Sequence, residues 1–195
     1  CGCAAGDTLS NYDENKKVEQ GVGKIILGGK NIKKYSVVIP EKPTEAEEFA
    51  ADQLIEYINL ATGVKLEKAK SAKNAIYVGG YPDEKLGEEG YVIQMKNGDL
   101  IISGNAPRGT LYGVYSFLED YIGCRWLDYD CEYVKSAKKI EIPKNLNVTK
   151  VPEFWFRSSY WYNYLKNPFF AIKNKHNQAI SGDFAGNGVD YTGLF

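Results

Sequence analysis

His176 is the one histidine among 195 residues, and it sits in the polar run "NKHNQ". A histidine acting as a general base needs a nucleophile or carboxylate within reach. None adjoins it in sequence, so it reads as an exposed surface residue. Cleavage of a glycosidic bond would need two carboxyl groups about 5–10 Å apart. Glu119 and Asp120 are neighbours on a predicted helix, where successive side chains diverge by about 100°. Glu153 opens a predicted strand, and Asp183 and Asp190 fall in glycine-rich loop. GxSxG, GxGxxG between a strand and a helix, and the phosphate-loop pattern are all absent. No complete catalytic set is legible, and no catalytic residue, cofactor or metal is expected.

Two weaker constellations remain. "SGNAPRG" (103–109) leads into a helix, whose N-terminus could hold an anion with help from Arg108. Helix initiation is the better account, with Asn105 as the cap and Pro107 in the first turn. Cys124 and Cys131 could pair across a short loop or remain as half-buried thiols; the sequence leaves both open. No CxxC occurs, and no usual zinc spacing is met.

The formal net charge of −1 offers no field to attract nucleic acid or an anionic membrane. Hydrophobic residues are 44% and charged residues 25%, the balance of a globular protein. Tyrosine is abundant at 15 residues, and aromatics crowd the stretch from Phe154 to Phe170. Flat rings with polar tips suit sugar faces and protein partners. Trp161, with Trp155, Tyr160, Tyr162 and Tyr164, is therefore a candidate glycan-stacking residue.

The elements that would position these residues follow from periodicity. "KIILGGK" (24–30) and "YSVVIP" (35–40) read as short strands. A helix follows, opened by a Thr44–Glu47 capping box and closed by Gly63. Phe49, Ala50, Leu54, Tyr57, Ile58 and Ala61 form its apolar face. Glu45, Glu47 and Glu48 suit the helix dipole and are not read as an acid pair. "NAIYVGGY" (74–81) reads as a buried strand. "EGYVIQMKNGDLIISG" is a hairpin turning at Asn97-Gly98.

"RGTLYGVYSFLEDYIGCRWL" (108–127) reads as a helix with Leu111, Val114, Tyr115, Leu118 and Ile122 toward the sheet. Gly109 permits close packing, Gly123 ends the helix, and Arg125-Trp126 turns the chain onward. "CEYV" (131–134) and "KKIEIP" (138–143) read as two strands around a Ser-Ala turn. Asn147-Val148-Thr149 is a glycosylation sequon in form only. "VPEFWFRSSYW" reads as a strand opened by Pro152, and "NPFFAIKNKHNQA" as a short helix with Ala171, Ile172 and Ala179 inward. The predicted class is α+β in two layers: a mixed sheet with two helices on one face. Three parts are expected: a flexible tether at 1–22, a compact domain at 23–148, and at 149–195 the beginning of a larger domain.

Cys1, followed by a polar stretch, resembles the start of a mature bacterial lipoprotein. That resemblance implies lipid attachment at Cys1, an extracellular or cell-surface location, and membrane contact only through the anchor.

The segments "AEEFAADQLIEYINLATGVKL", "NAIYVGG", "EGYVIQMKNGDLIISG" and "RGTLYGVYSFLEDYIGCRWL" occur in this order. Together they resemble the non-catalytic N-terminal α/β domain that precedes the barrel in several glycoside hydrolases. These are the β-N-acetylhexosaminidases of family 20, the α-glucuronidases of family 67, and proteins with a DUF4838 barrel. "GTLYGVYSFLEDYIGCRW" and "VPEFWFRSSYW" are most similar to the last. The resemblance implies that 149–195 begins a (β/α)₈ barrel, with its site at the C-terminal ends of the strands. It places Arg157 where a hexosaminidase arginine binds the terminal sugar. The Gly and Asp that follow in the hexosaminidase pattern are lacking, and Ser158-Ser159-Tyr160-Trp161 stand there instead, which favours the DUF4838 type. The implied role is an accessory domain of a carbohydrate-active protein, its glycan held by the barrel. The alternative is a carbohydrate- or protein-binding module without catalysis.

Overall fold

The structure is a computed structural model and describes residues 21–159 and 161–177. Cys1, Cys3, Tyr160, Ala179, Asp183, Asp190 and nearly all of the expected tether lie outside these residues.

The main sheet has five strands: β3 (Ser36–Val38), β4 (Ala75–Val78), β5 (Tyr91–Lys96), β6 (Asp99–Gly104) and β10 (Asn147–Lys150). Their order is β10-β5-β6-β4-β3. Strands β3, β4 and β6 pair in parallel, while β5 pairs antiparallel with both β6 and β10, so the sheet is mixed as expected. A second sheet joins β1 (Ile25–Leu27), β2 (Lys30–Asn31) and β9 (Ile140–Ile142), and β7 (Cys124–Asp128) pairs with β8 (Cys131–Val134) in a hairpin.

Helix α1 (Glu45–Thr62) begins where its capping box lies. The Glu47 amide donates to the Thr44 hydroxyl at 3.2 Å, and the Thr44 amide donates to Glu47 Oε2 at 2.9 Å. Glu47 also accepts the Gly80 amide at 2.9 Å, tying the helix start to the end of β4. Gly63 closes the helix at φ +71°, a left-handed conformation natural to glycine.

Helix α2 (Gly109–Phe117) runs into a π-helical turn (Leu118–Ile122) that Gly123 stops at φ +88°. Both helices lie over one face of the main sheet. Ala50, Leu54, Tyr57 and Ile58 of α1 share a core with Leu111, Val114, Tyr115 and Leu118 of the α2 region and with Ile76, Val78, Ile93, Leu100 and Ile102. A Cβ on Gly113 would lie 3.0 Å from the Ile102 side chain, so the missing side chain is what lets α2 touch the sheet. The Tyr91 and Ser116 hydroxyls share a 2.6 Å hydrogen bond across this contact. Every residue of α2 is buried, not only the expected stripe. A helix apolar on all sides needs cover on all sides.

Some local expectations fail. Asn105 does not cap α2. Its side chain instead donates to the Asp83 and Gly87 carbonyls, and the helix starts at Gly109 with no side-chain cap. The strands at 131–134 and 140–142 do not pair around a turn. One joins β7 and the other lies parallel to β1. Arg125-Trp126 is part of β7 rather than a turn. Asn147–Lys150, where no strand was expected, pairs with β5 at the edge of the main sheet.

No strand forms among the described residues of 151–161. The segment has no ladder partner, and Asn177 is one of the residues that hold its backbone. Asn177 accepts the Arg157 amide at 2.7 Å and donates to the Trp155 carbonyl at 2.6 Å. Two short helices follow, α3 (Tyr162–Lys166) and α4 (Pro168–Lys173), with Ala171 and Ile172 buried as expected. No disulfide joins Cys124 and Cys131, because they sit at opposite ends of the β7–β8 hairpin.

Candidate functional site

The polar chemistry of the described residues concentrates on the seam between the sheet-and-helix unit (21–150) and the aromatic segment (151–177). Glu89 is its centre. Its Oε1 accepts Arg108 Nε at 2.9 Å, and its Oε2 accepts Arg157 Nη2 at 2.6 Å and Asn177 Nδ2 at 3.1 Å. The Glu89 and Arg108 side chains are only 5% and 2% exposed. Charges this deep persist only when paired. Arg108, considered as an anion ligand at a helix start, is therefore a buried ion-pair partner. Its Nη2 also reaches the Asn177 carbonyl at 3.4 Å.

A second cluster lies between α1, the β7–β8 hairpin and α4. The Tyr57 hydroxyl donates to Glu132 Oε2 at 2.7 Å, and Lys173 Nζ donates to Glu132 Oε1 at 2.6 Å. Trp126 Nε1 donates to the Tyr57 hydroxyl at 2.8 Å. Burial, then the Glu132 charge, pushes the Tyr57 phenol far above its ordinary range. Lys173 sits 5.4 Å from the centre of the Tyr57 ring, a cation–π distance.

The seam is complementary in charge. Its acidic groups, Glu89, Glu119, Asp128 and Glu132, stand on the first unit. Its donors, Arg157, Asn163, Lys173, Lys175 and Asn177, stand on the segment. Lys175 pairs with Glu119, and Asn163 donates to Asp128 at 2.7 Å. The Tyr112 hydroxyl adds a 2.7 Å bond to the His176 carbonyl. Burial, then the Glu89 charge, raises the Tyr112 phenol.

His176 is not the exposed residue its surroundings suggested. Its ring stacks on Tyr164 at 4.2 Å, and its Nδ1 is buried without a partner among the described residues. Burial, then the Arg157 charge, lowers its pKa.

The two expected sugar contacts face different partners. Arg157 donates from Nε to the Lys175 carbonyl at 2.9 Å and from Nη1 to the Phe154 carbonyl at 2.8 Å, and its guanidinium carbon lies 5.5 Å from the Tyr112 ring centre. Trp161 stands before α3, exposed, with its ring edge-on to Tyr164 at 5.8 Å. Phe154, Trp155, Tyr162 and Phe169 are exposed as well. Among the described residues, no group of three His, Cys, Asp or Glu side chains is placed to hold a metal.

Glu89, Tyr57 and Glu132 were not legible as site residues. Glu89 heads the hairpin stretch "EGYVIQMKNGDLIISG", and nothing in that pattern singles it out. Its φ of +60° and its burial appear only in the fold.

This architecture has known counterparts. Residues 16–119, more than half of the chain, match the family model of glycosyl hydrolase family 20, domain 2. The chain belongs to that family. No curated protein sequence matches it. Among solved structures, a mutant Streptomyces plicatus β-hexosaminidase aligns over 82% of this chain and 31% of its own, at 15% identity and a TM-score of 0.50. The Flavobacterium johnsoniae chitobiase covers 72% of this chain and 20% of its own, at 18% identity and a TM-score of 0.44. The Vibrio harveyi exo-β-N-acetylglucosaminidase covers 63% and 16%, at 16% identity and a TM-score of 0.41. The Streptomyces alignment, at its low identity, speaks for the fold alone. The chain spans under a third of the length of each of these proteins. As a family 20 chain it carries the accessory α/β domain of that family, with a mixed α+β fold.

Proposed function

We propose that this family 20 chain is the non-catalytic accessory domain of a secreted or surface-anchored glycoside hydrolase acting on glycans, followed by the first part of its (β/α)₈ barrel. The match of residues 16–119 to the family's domain 2 carries this reading. The use of its buried carboxylates supports it. Glu89 is held by two arginines and an amide, and Glu132 by a lysine and a phenol, which leaves neither placed as a catalytic acid.

On this reading residues 1–22 are a tether lipidated at Cys1, residues 23–148 the accessory domain, and residues 149–195 the start of a DUF4838-type or α-glucuronidase-like barrel. The glycan is bound by that barrel, with Arg157 as a sugar contact. The protein lies outside the cell, meets the membrane only through its lipid, and binds no nucleic acid.

The test is an assay of residues 1–195 and of the full-length protein on aryl N-acetyl-β-glucosaminides and aryl uronides. Turnover is expected from the full-length protein alone; turnover by residues 1–195 would overturn the reading.

A second reading, a glycan- or protein-binding module without catalysis, draws on the exposed rings of Phe154, Trp155, Trp161 and Tyr162. Titration of the chain and its Trp161→Ala variant against a glycan panel decides it. Binding lost with Trp161 favours this module, and no binding dismisses it.

A further inference from the structure

We propose that Glu89 is the positioning residue for Arg157: a carboxylate of the accessory domain fixes the plane and reach of a guanidinium on the following segment. The ligand-binding role of this device rests on the reading of Arg157 as a sugar contact. Three observations carry it.

The first is the rigidity of the anchor. Glu89 holds a left-handed φ of +60°, costly for a residue with a side chain, and is buried. Arg108, itself buried, fixes one carboxylate oxygen at 2.9 Å. The other oxygen is thereby presented at a set place.

The second is the way Arg157 is held. Its Nη2 donates to that oxygen at 2.6 Å, its Nε to the Lys175 carbonyl and its Nη1 to the Phe154 carbonyl, while Tyr112 lies under the guanidinium. At least three of the five N–H groups of an arginine are used for orientation, and the remainder are left for a ligand. Asn177 reinforces this from the same carboxylate oxygen. It donates to Glu89 Oε2 and accepts the Arg157 amide.

The third is the gradient of exposure. Glu89 and Arg108 are 5% and 2% exposed at their side chains, and Arg157 is 22% exposed. The carboxylate is buried, and the arginine that it holds stays partly exposed. A planar donor held in this way suits the paired oxygens of a sugar, either adjacent hydroxyls or a carboxylate. The accessory domain then contributes to ligand affinity without touching the ligand.

Two measurements test it in the full-length protein. The Arg157 Nε–H resonance is expected to be sharp and protected from solvent exchange, and to broaden in Glu89→Gln. An unchanged resonance overturns the proposal. Calorimetric titration with N-acetylglucosamine and with glucuronate then reads the consequence. Glu89→Gln is expected to weaken the binding of whichever sugar binds by about ten-fold, and to add nothing in an Arg157→Lys background. An equal loss in that background would mark a merely structural role and overturn the proposal. If Arg157→Lys leaves affinity unchanged, or neither sugar binds, the sugar-contact reading falls, while the resonance still decides whether Glu89 positions Arg157. Should Glu89→Gln not fold, Glu89→Asp keeps the charge, shortens the reach and gives the same readouts.

Discussion

The Tyr57 hydroxyl stands between Glu132 and Trp126, donating to the carboxylate at 2.7 Å and accepting from the indole at 2.8 Å. One phenol thus joins helix α1 to both strands of the β7–β8 hairpin. Glu132 passes the connection to Lys173 on α4. Tyr57→Phe removes the oxygen and nothing else, leaving a buried indole N–H without its acceptor. The expected loss is about 1–3 kcal/mol of stability, read from urea unfolding at neutral pH. A loss below the error of that measurement would mean that the hydroxyl is dispensable.

Lys173→Met breaks the buried pair from the other side. It strands the Glu132 charge, and the expected cost is about 3–5 kcal/mol. Because Lys173 belongs to the aromatic segment, protection of α4 against hydrogen exchange should fall first. The double variant Lys173→Met/Glu132→Gln should recover part of the loss. Full additivity in that cycle would show that the two groups are not coupled.

Two glycines separate space from conformation. A Cβ at Gly109 would sit 2.5 Å from the Gly90 carbonyl oxygen, a backbone atom that cannot swing away. Gly109→Ala should therefore cost several kcal/mol, at about the level of severe overpacking. At Gly63 nothing lies within 4 Å, and only the φ of +71° resists a side chain. Gly63→Ala should cost about 1–2 kcal/mol. Thermal unfolding of the pair checks the ranking, and the reverse order would contradict the packing of α2.

Burial, then the Glu132 charge, pushes the Cys124 thiol up to about 12. Burial favours the neutral thiol in the folded state, so the unfolded chain ionises first, near the ordinary thiol value of 9.0. The folded state then binds the extra proton, and stability falls as pH rises from that value toward 12. Below it, the contribution is fully present. Cys124→Ala should flatten this part of the stability-against-pH curve. In the native protein, Cys124 should resist iodoacetamide at pH 8 and react once urea opens the core. Mass spectrometry of the labelled peptides distinguishes the two states.

Much of the fold was legible locally, because short-range chemistry sets it. The Thr44–Glu47 box, the closing Gly63 and Gly123, the Asn97-Gly98 turn and the apolar stripes of α1 and α2 act over three or four residues, and all appear where their pattern puts them. The strands at 131–134 and 140–142 were also visible as strands. Their partners were not, since a strand's pattern says which face is buried and not which edge it joins.

The site divides in the same way. Arg157 could be singled out by its place in "PEFWFR". Its fixing carboxylate could not, because Glu89 and Arg157 lie 68 positions apart in the chain. Asn105 and His176 read locally as a cap and a surface residue, and long-range contacts overrode both. By itself, the sequence determined the mixed sheet, its two helices and the likeness to an accessory domain shared by several glycoside hydrolase families, all carried by local pattern and element order. The tertiary structure alone decided which charges are buried together. That choice depends on desolvation and pairing between distant segments, and no local spacing encodes it.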